Sequence, residues 1–263
     1  MNKLTFFLII SMTTAVFSNG ALAQNGNDFI RNKVIAHRGA FKNAGLPENS
    51  MASLKRAIAL GCEGSEFDVW MTADGVLVVN HNADFNGLDI ETSTYEQLLQ
   101  KTHPNGEHIP TAENYIREGL KQHRTRLIFE IKTPADKARG IELAEKSVAL
   151  VHNTGAREWV DYIAFDYDIC KKVMELDPSA NVAYLNGDRT PSQLKKDGFS
   201  GLDYSIGIMK KHPEWIREAR ELGLTVNVWT VNKRDDMQWL LGEHADFITT
   251  NEPELLLELV KRP

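Results

Sequence analysis

Residues 50–69 read SMASLKRAIALGCEGSEFDV, and the way this stretch divides decides the fold. From Ser50 to residue 60 the apolar positions recur at helical spacing. Gly61 stops the run, because glycine enters the left-handed conformation that ends helices. Gly64-Ser65-Glu66-Phe67-Asp68-Val69 then reads as a strand, with large apolar side chains alternating with polar ones. A helix that returns through a short loop into a strand is part of a βαβ crossover, the connection that parallel strands require.

The same alternation recurs on both sides of this stretch. Further strand-like runs lie at residues 34–37, 127–131, 162–165, 182–185, 201–204, 226–229 and 246–249. Helical runs fall between them at 112–122, 135–152, 168–176, 213–222, 235–241 and 253–260, with a weaker one at 193–196. Eight strand–helix units predict an α/β protein of the closed (β/α)8 class, a TIM barrel. The rival is an open doubly wound sheet, but no G-x-G-x-x-G turn follows the first strand to favour it. One stretch breaks the alternation. Residues 71–110 begin with a hairpin signal at Asp74-Gly75 and read as a small insertion after the second strand. No Pro-, Gly- or Ser-rich linker divides the chain, so residues 24–263 are expected to form a single barrel domain.

The composition suits a globular protein. Of 263 residues, 42% are hydrophobic and 25% charged, and two cysteines exclude a disulfide-rich scaffold. Cys62 and Cys170 read as buried free thiols. A net charge of −6 argues against a nucleic-acid partner held on a broad basic surface. Residues 1–23 carry the pattern of a cleaved secretory signal. Lys3 supplies the positive start, an apolar run follows, and Ala21-Leu22-Ala23 offers the small-x-small cleavage pattern. Thr5, Ser11, Thr13 and Thr14 dilute the apolar run, and a spanning helix needs about 20 apolar residues, so stable membrane insertion is not expected. The remaining chain is expected to be exported, periplasmic or secreted.

Side chains that bear chemistry collect at the ends of the first three barrel strands. Glu66 and Asp68 share a strand face because side chains alternate with period 2. If Asp74-Gly75 is a two-residue turn, Val76 faces Ala73, Val79 faces Trp70 and His81 faces Asp68 on the same side. A one-residue bulge would break this register. Glu130 and Lys132 share a face at the end of the next strand, and His37-Arg38-Gly39 ends the first. Barrel enzymes work at these C-terminal strand ends. Carboxylates side by side repel, and a divalent cation relieves the conflict. An all-oxygen ligand set favours a hard ion, Ca²⁺ or Mg²⁺. Arg38 can clamp a phosphate through two N–H groups, and Lys132 can hold a phosphate oxygen.

These residues resemble the glycerophosphodiester phosphodiesterase family, whose barrels are related to phosphatidylinositol-specific phospholipase C. The resemblance rests on several segments in family order. They are His37-Arg38-Gly39, Pro47-Glu48-Asn49-Ser50, Glu66-Phe67-Asp68-Val69, Thr72-Ala73-Asp74-Gly75 and Val78-Val79-Asn80-His81, then Ile109-Pro110-Thr111, Glu130-Ile131-Lys132, Trp229-Thr230-Val231-Asn232 and Thr249-Thr250-Asn251-Glu252-Pro253. It implies metal-dependent hydrolysis of a small glycerophosphodiester to glycerol 3-phosphate and an alcohol. It also implies one divalent ion on Glu66, Asp68 and Glu130, His37 and His81 as general acid and base, and Arg38 and Lys132 neutralising the phosphate. Glu48 would ligate or orient groups near the metal, and Trp229 would pack against the glycerol.

Two departures stand out. Asn82 follows His81 where the family usually has Asp, and Ala83-Asp84-Phe85-Asn86-Gly87 stands where a Leu-x-Arg-Thr-Thr segment is usual. Both bear on substrate choice more than on the core chemistry. A phospholipase or a cyclising lyase acting on another phosphodiester is the alternative. A glycoside hydrolase would also use rim carboxylates, but would leave both histidines, Arg38 and Lys132 without a role.

Overall fold

The computed structural model describes Met1 and residues 29–261. The leader expected at residues 1–23 therefore lies, apart from Met1, outside the described residues. In chain order the elements are β1 (Val34–Ala36), α1 (Met51–Leu60), β2 (Gly64–Met71), β3 (Leu77–Val79), β4 (Asp84–Phe85), β5 (Leu88–Asp89), α2 (Tyr95–Leu98) and α3 (Ala112–Gly119). They continue with β6 (Arg126–Ile131), α4 (Lys137–Asn153), β7 (Val160–Ala164), α5 (Tyr167–Leu176), β8 (Asn181–Tyr184), α6 (Pro191–Lys196) and β9 (Gly201–Ser205). Last come α7 (Ile206–Lys211), α8 (Glu214–Glu221), β10 (Thr225–Trp229), α9 (Arg234–Gly242), β11 (Phe247–Thr250) and α10 (Pro253–Val260).

Strands β1, β2 and β6 to β11 are parallel neighbours, and β11 returns to pair with β1, which closes the ring. The fold is a (β/α)8 TIM barrel. The ends of α1 form as the sequence predicts. Ser50 and Ser53 cap its start reciprocally, and Gly61 ends it with φ of 74°. Thr111 accepts the Asn114 N–H to start α3, which stops at Gly119, short of the expected 122. Helix α7 was not expected from the sequence, because six residues are too few to show a periodicity.

Alternation along each strand sorts its side chains into two environments. Phe67, Val69 and Met71 of β2 face outward and join the core between barrel and helices with Phe129, Leu54 and Leu143. Ile35, Ile128, Ile163 and Leu185 face inward as a small apolar layer within the barrel. Glu66 and Asp68 lie on the inward face of β2, above that layer.

The insertion packs over the mouth of the barrel. Its Val78, Phe85, Ile90, Leu98 and Ile109 are buried in one cluster with Trp70 of β2, worth roughly 1.5–3 kcal/mol for each large side chain. Its first hairpin departs from the expected register. Thr72 pairs with Val76 through a 2.9 Å hydrogen bond, so the loop holds three residues, and Gly75 takes φ of 81°. Three-residue hairpins characteristically carry a left-handed residue at this position. Val79 therefore faces Val69, not Trp70. Asn80, not His81, meets Asp68 across the pair, donating its N–H to the Asp68 carbonyl at 3.0 Å.

Among the described residues no helix is long and apolar enough to cross a membrane.

Candidate active site

The end of β1 is bent sharply into the barrel mouth. Arg38 and Gly39 both take left-handed φ angles, 54° and 78°. Only a residue without a Cβ fits the second position, because a Cβ there would stand 2.4 Å from Ser53 Oγ. The turn aims the Arg38 N–H at Glu66 Oε2, 2.8 Å away. The His37 ring lies beside it. Asn251 Oδ1 accepts from His37 Nδ1 at 2.7 Å, which leaves Nε2 as the basic nitrogen, 3.9 Å from Glu66 Oε2. Burial, followed by the Arg38 charge, lowers the His37 pKa to about 4.

Three carboxylates meet beside it. Asp68 and Glu130 are direct neighbours in the pairing of β2 with β6, and Glu66 lies one inward step below. Each offers an oxygen within 4.8 Å of the others, and all three are buried. Burial and then the charges of Asp68 and Glu130 hold Glu66 well above the usual carboxylate range. Burial and Asp68 push Glu130 up to about 8. Asp68 goes the other way. Burial raises it, but Lys132, His81 and the Asn49 amide outweigh burial and hold it low. Lys132 Nζ lies 3.1 Å from Asp68 and 2.7 Å from Glu130. Burial opposes its charge, yet the two carboxylates raise it above the ordinary lysine value.

A hard divalent cation fits this group on two observations. All three side chains are oxygen donors, and the buried Glu66 Oε1 has no hydrogen-bond partner among the described residues.

His81 arrives from the insertion. Beyond β3 the chain bends, and the Trp70 indole N–H holds the His81 carbonyl at 3.1 Å. Asn82 Oδ1 accepts from His81 Nδ1 at 2.9 Å, so Nε2 is again the free nitrogen. The two histidines are thus oriented alike, each by an asparagine side chain.

A cavity of about 200 Å³ brings together His37, Arg38, Glu66, His81, Glu130, Lys132 and Trp229. Asp68 lies under it, 1% exposed. The Trp229 ring is fixed by its N–H to the Asp203 carbonyl at 2.9 Å and by an edge contact with Phe165 at 5.5 Å. Glu48 stands apart from the carboxylate group. Both its oxygens accept from Arg38 Nη1, at 2.9 and 3.0 Å. This pairing orients the Arg38 guanidinium.

Three residues of this site were not assigned a role from the sequence. Asn49, fully buried with φ of 55°, donates to Asp68 Oδ2 at 2.8 Å and accepts the Asp68 N–H at 3.2 Å. Asn251 holds His37. Asn49 lies in Pro47-Glu48-Asn49-Ser50 and Asn251 in Thr249-Thr250-Asn251-Glu252-Pro253, and that placement is their signal in the sequence. Asp203 had none.

Parallel-barrel enzymes place their chemistry at the carboxyl ends of the strands, and the ionisable groups of this chain gather there on β1, β2 and β6. The molecule is a TIM-barrel enzyme. Its sequence matches the profile of the glycerophosphoryl diester phosphodiesterase family over residues 37–255, and the chain belongs to that family. It is 30% identical to a glycerophosphodiester phosphodiesterase of Caldanaerobacter subterraneus subsp. tengcongensis, over 87% of this chain and 98% of the relative. Among solved structures, a glycerophosphodiester phosphodiesterase from Parabacteroides distasonis superposes with a TM-score of 0.85 at 42% identity, covering 90% of this chain and 98% of the other. The fold is shared with an Oleispira antarctica phosphodiesterase solved with the product sn-glycerol-3-phosphate. There the TM-score is 0.75 at 20% identity, covering 88% and 97% of the two chains.

Proposed function

We propose that this enzyme hydrolyses small glycerophosphodiesters to glycerol 3-phosphate and an alcohol, using two histidines and one divalent ion, Ca²⁺ or Mg²⁺. The observation that carries the reading is the pairing of two free imidazole Nε2 atoms with three buried carboxylates on one cavity. Glu66, Asp68 and Glu130 would hold the ion. A bound ion supplies Lewis-acid polarisation of a phosphoryl oxygen. Arg38 and Lys132 oppose the charge that develops on the phosphoryl oxygens, and both are already fixed by carboxylates, so little reorganisation is needed. One imidazole accepts at Nε2 the proton of the glycerol hydroxyl as that oxygen bonds to phosphorus. The other donates a proton from Nε2 to the departing alkoxide as its P–O bond breaks. Water then opens the cyclic phosphate, with the two proton transfers reversed. Trp229 packs against the glycerol carbons. The product complex of the Oleispira antarctica relative supports glycerol 3-phosphate as the product. The leader-like residues 1–23 support an exported enzyme.

Turnover of glycerophosphocholine followed by phosphorus NMR tests this. The parent is expected to release glycerol 3-phosphate and to stop when the ion is chelated. His37→Ala and His81→Ala should each lose about 10²- to 10⁴-fold in rate. Parent-like turnover by either variant would refute the mechanism. Accumulation of the cyclic phosphate would assign a lyase, and cleavage of intact lipid a phospholipase.

A further inference from the structure

One buried carboxyl on the cavity is unused by the chemistry above. Asp203 sits on β9, two residues before its end at Ser205, and is 2% exposed. It lines the same cavity as His37, Glu66, Glu130 and Trp229. Its Oδ2 accepts from Asn227 Nδ2 at 2.9 Å, and that amide also reaches Thr249 Oγ1 at 2.8 Å. Its Oδ1 is buried without a hydrogen-bond partner among the described residues. An orphaned polar atom in an otherwise satisfied network needs an explanation, and on a binding cavity a ligand group supplies one.

The surroundings narrow the class of that group. Among the described residues no cation pairs with Asp203, and burial pushes it up to about 7. Near neutrality both its forms are populated, so it can donate to a hydroxyl or accept from one. Position agrees with this. In the closed ring β9 lies diametrically across from β2, which carries Glu66 and Asp68. A short polyol whose phosphate met Arg38 and Lys132 beside the carboxylates would reach Trp229 and Asp203 within the same cavity. Asp203 also fixes the Trp229 ring through its own carbonyl, so one residue presents both an apolar face and a polar atom.

We infer that Asp203 is a specificity-determining residue that hydrogen-bonds, through Oδ1, the polyol hydroxyl that does not attack phosphorus. The inference rests on the glycerophosphodiester reading above. Asp203 also borders a cavity of about 460 Å³ beneath it, so a water there is the competing partner.

The test compares glycerophosphocholine with its analogue built on propane-1,2-diol, which lacks the terminal hydroxyl. Parent, Asp203→Ala and Asp203→Asn proteins are assayed with the divalent ion present. The parent should prefer the glycerol compound. Asp203→Ala should lower kcat/KM for that compound by roughly 10- to 100-fold while changing the propanediol compound by less than about threefold. Asp203→Asn keeps a donor and an acceptor and should retain most of the preference. An equal loss on both compounds would make Asp203 purely structural, and an unchanged preference would make water its partner. Either result overturns the inference. Calorimetric binding of glycerol 3-phosphate against propanediol phosphate reads the same preference without turnover. An inactive parent would therefore refute the catalytic reading alone, whereas equal binding of the two phosphates would refute the role of Asp203.

Discussion

Glu66→Gln is expected to stabilise the metal-free protein and to remove most of its response to a divalent ion. Lys132 sits between Asp68 and Glu130, whereas among the described residues Glu66 has only the Arg38 N–H at hydrogen-bond distance. Two carboxylates no more than 4.8 Å apart repel by at least about 3 kcal/mol at an effective dielectric near 20. Protonation caps part of this cost, so about 1–2 kcal/mol should be recovered by the glutamine, or roughly 2–8 °C in Tm. The amide oxygen still accepts the Arg38 N–H. The pH dependence follows from the raised values of Glu66 and Glu130, the latter at about 8. The folded state holds protons that the unfolded state has released, so the metal-free parent should lose stability as pH climbs from about 4.5 to 8, and the variant should lose less. A bound ion reverses the trend, because it competes with those protons. At a hundred times its Kd it adds about 2.7 kcal/mol, roughly 5–10 °C. Thermal melts at pH 6 and pH 8, in chelator and with Ca²⁺ or Mg²⁺, read all of this. A variant that melts below the parent in chelator, or that responds to the ion as fully as the parent does, would refute the reasoning.

Two shorter predictions follow from the same region and from the core. Asn49→Ala removes both hydrogen bonds between Asn49 and Asp68, leaving Lys132 on the other carboxylate oxygen, and should weaken the ion about 10- to 100-fold by titration calorimetry; parent-like affinity would show that Asp68 needs no support from Asn49. Cys62 and Cys170 are buried free thiols, and burial pushes Cys62 up to about 12. Neither should react with a disulfide reagent in the native protein, and both should react in denaturant; rapid native labelling of either would contradict the packing.

The barrel could be read from the chain because its signal is repeated and local. Each unit needs only a helical period, a stop and a short apolar run. The carboxylate group was legible for a related reason: period-2 alternation puts Glu66 and Asp68 on one face, and parallel pairing with the next barrel strand brings Glu130 opposite Asp68. The residues that orient the chemistry were not legible. Asn49 meets Asp68 across 19 residues of sequence, and Asn251 meets His37 across 214. No local pattern encodes such distances. Asp203 was hidden for another reason, since one aspartate among apolar strand residues gives no sign of being the polar atom on a cavity floor.

His81 shows that a correct grouping can follow from an incorrect register. The expected pairing required a two-residue turn, whereas the left-handed Gly75 belongs to a three-residue loop and slides β3 by one position. A slip of that kind would send His81 to the opposite face of a regular hairpin. It does not, because β3 ends at Val79 and the face of a strand has no meaning beyond its last residue. Two other contacts then place the ring: Trp70 on the His81 carbonyl and Asn82 on Nδ1. Asn82 therefore still holds the ring where the family usually has Asp, without adding a charge. The two histidines consequently depend on different parts of the molecule. His37 is fixed by the barrel, through Asn251 beyond β11, and His81 by the insertion, through Trp70 and the bend it holds. Changes in the insertion that spare Trp70 and Asn82 can reshape the surroundings of the site while leaving the His37 side of the cavity untouched, and the departures at residues 83–87 fall in that segment.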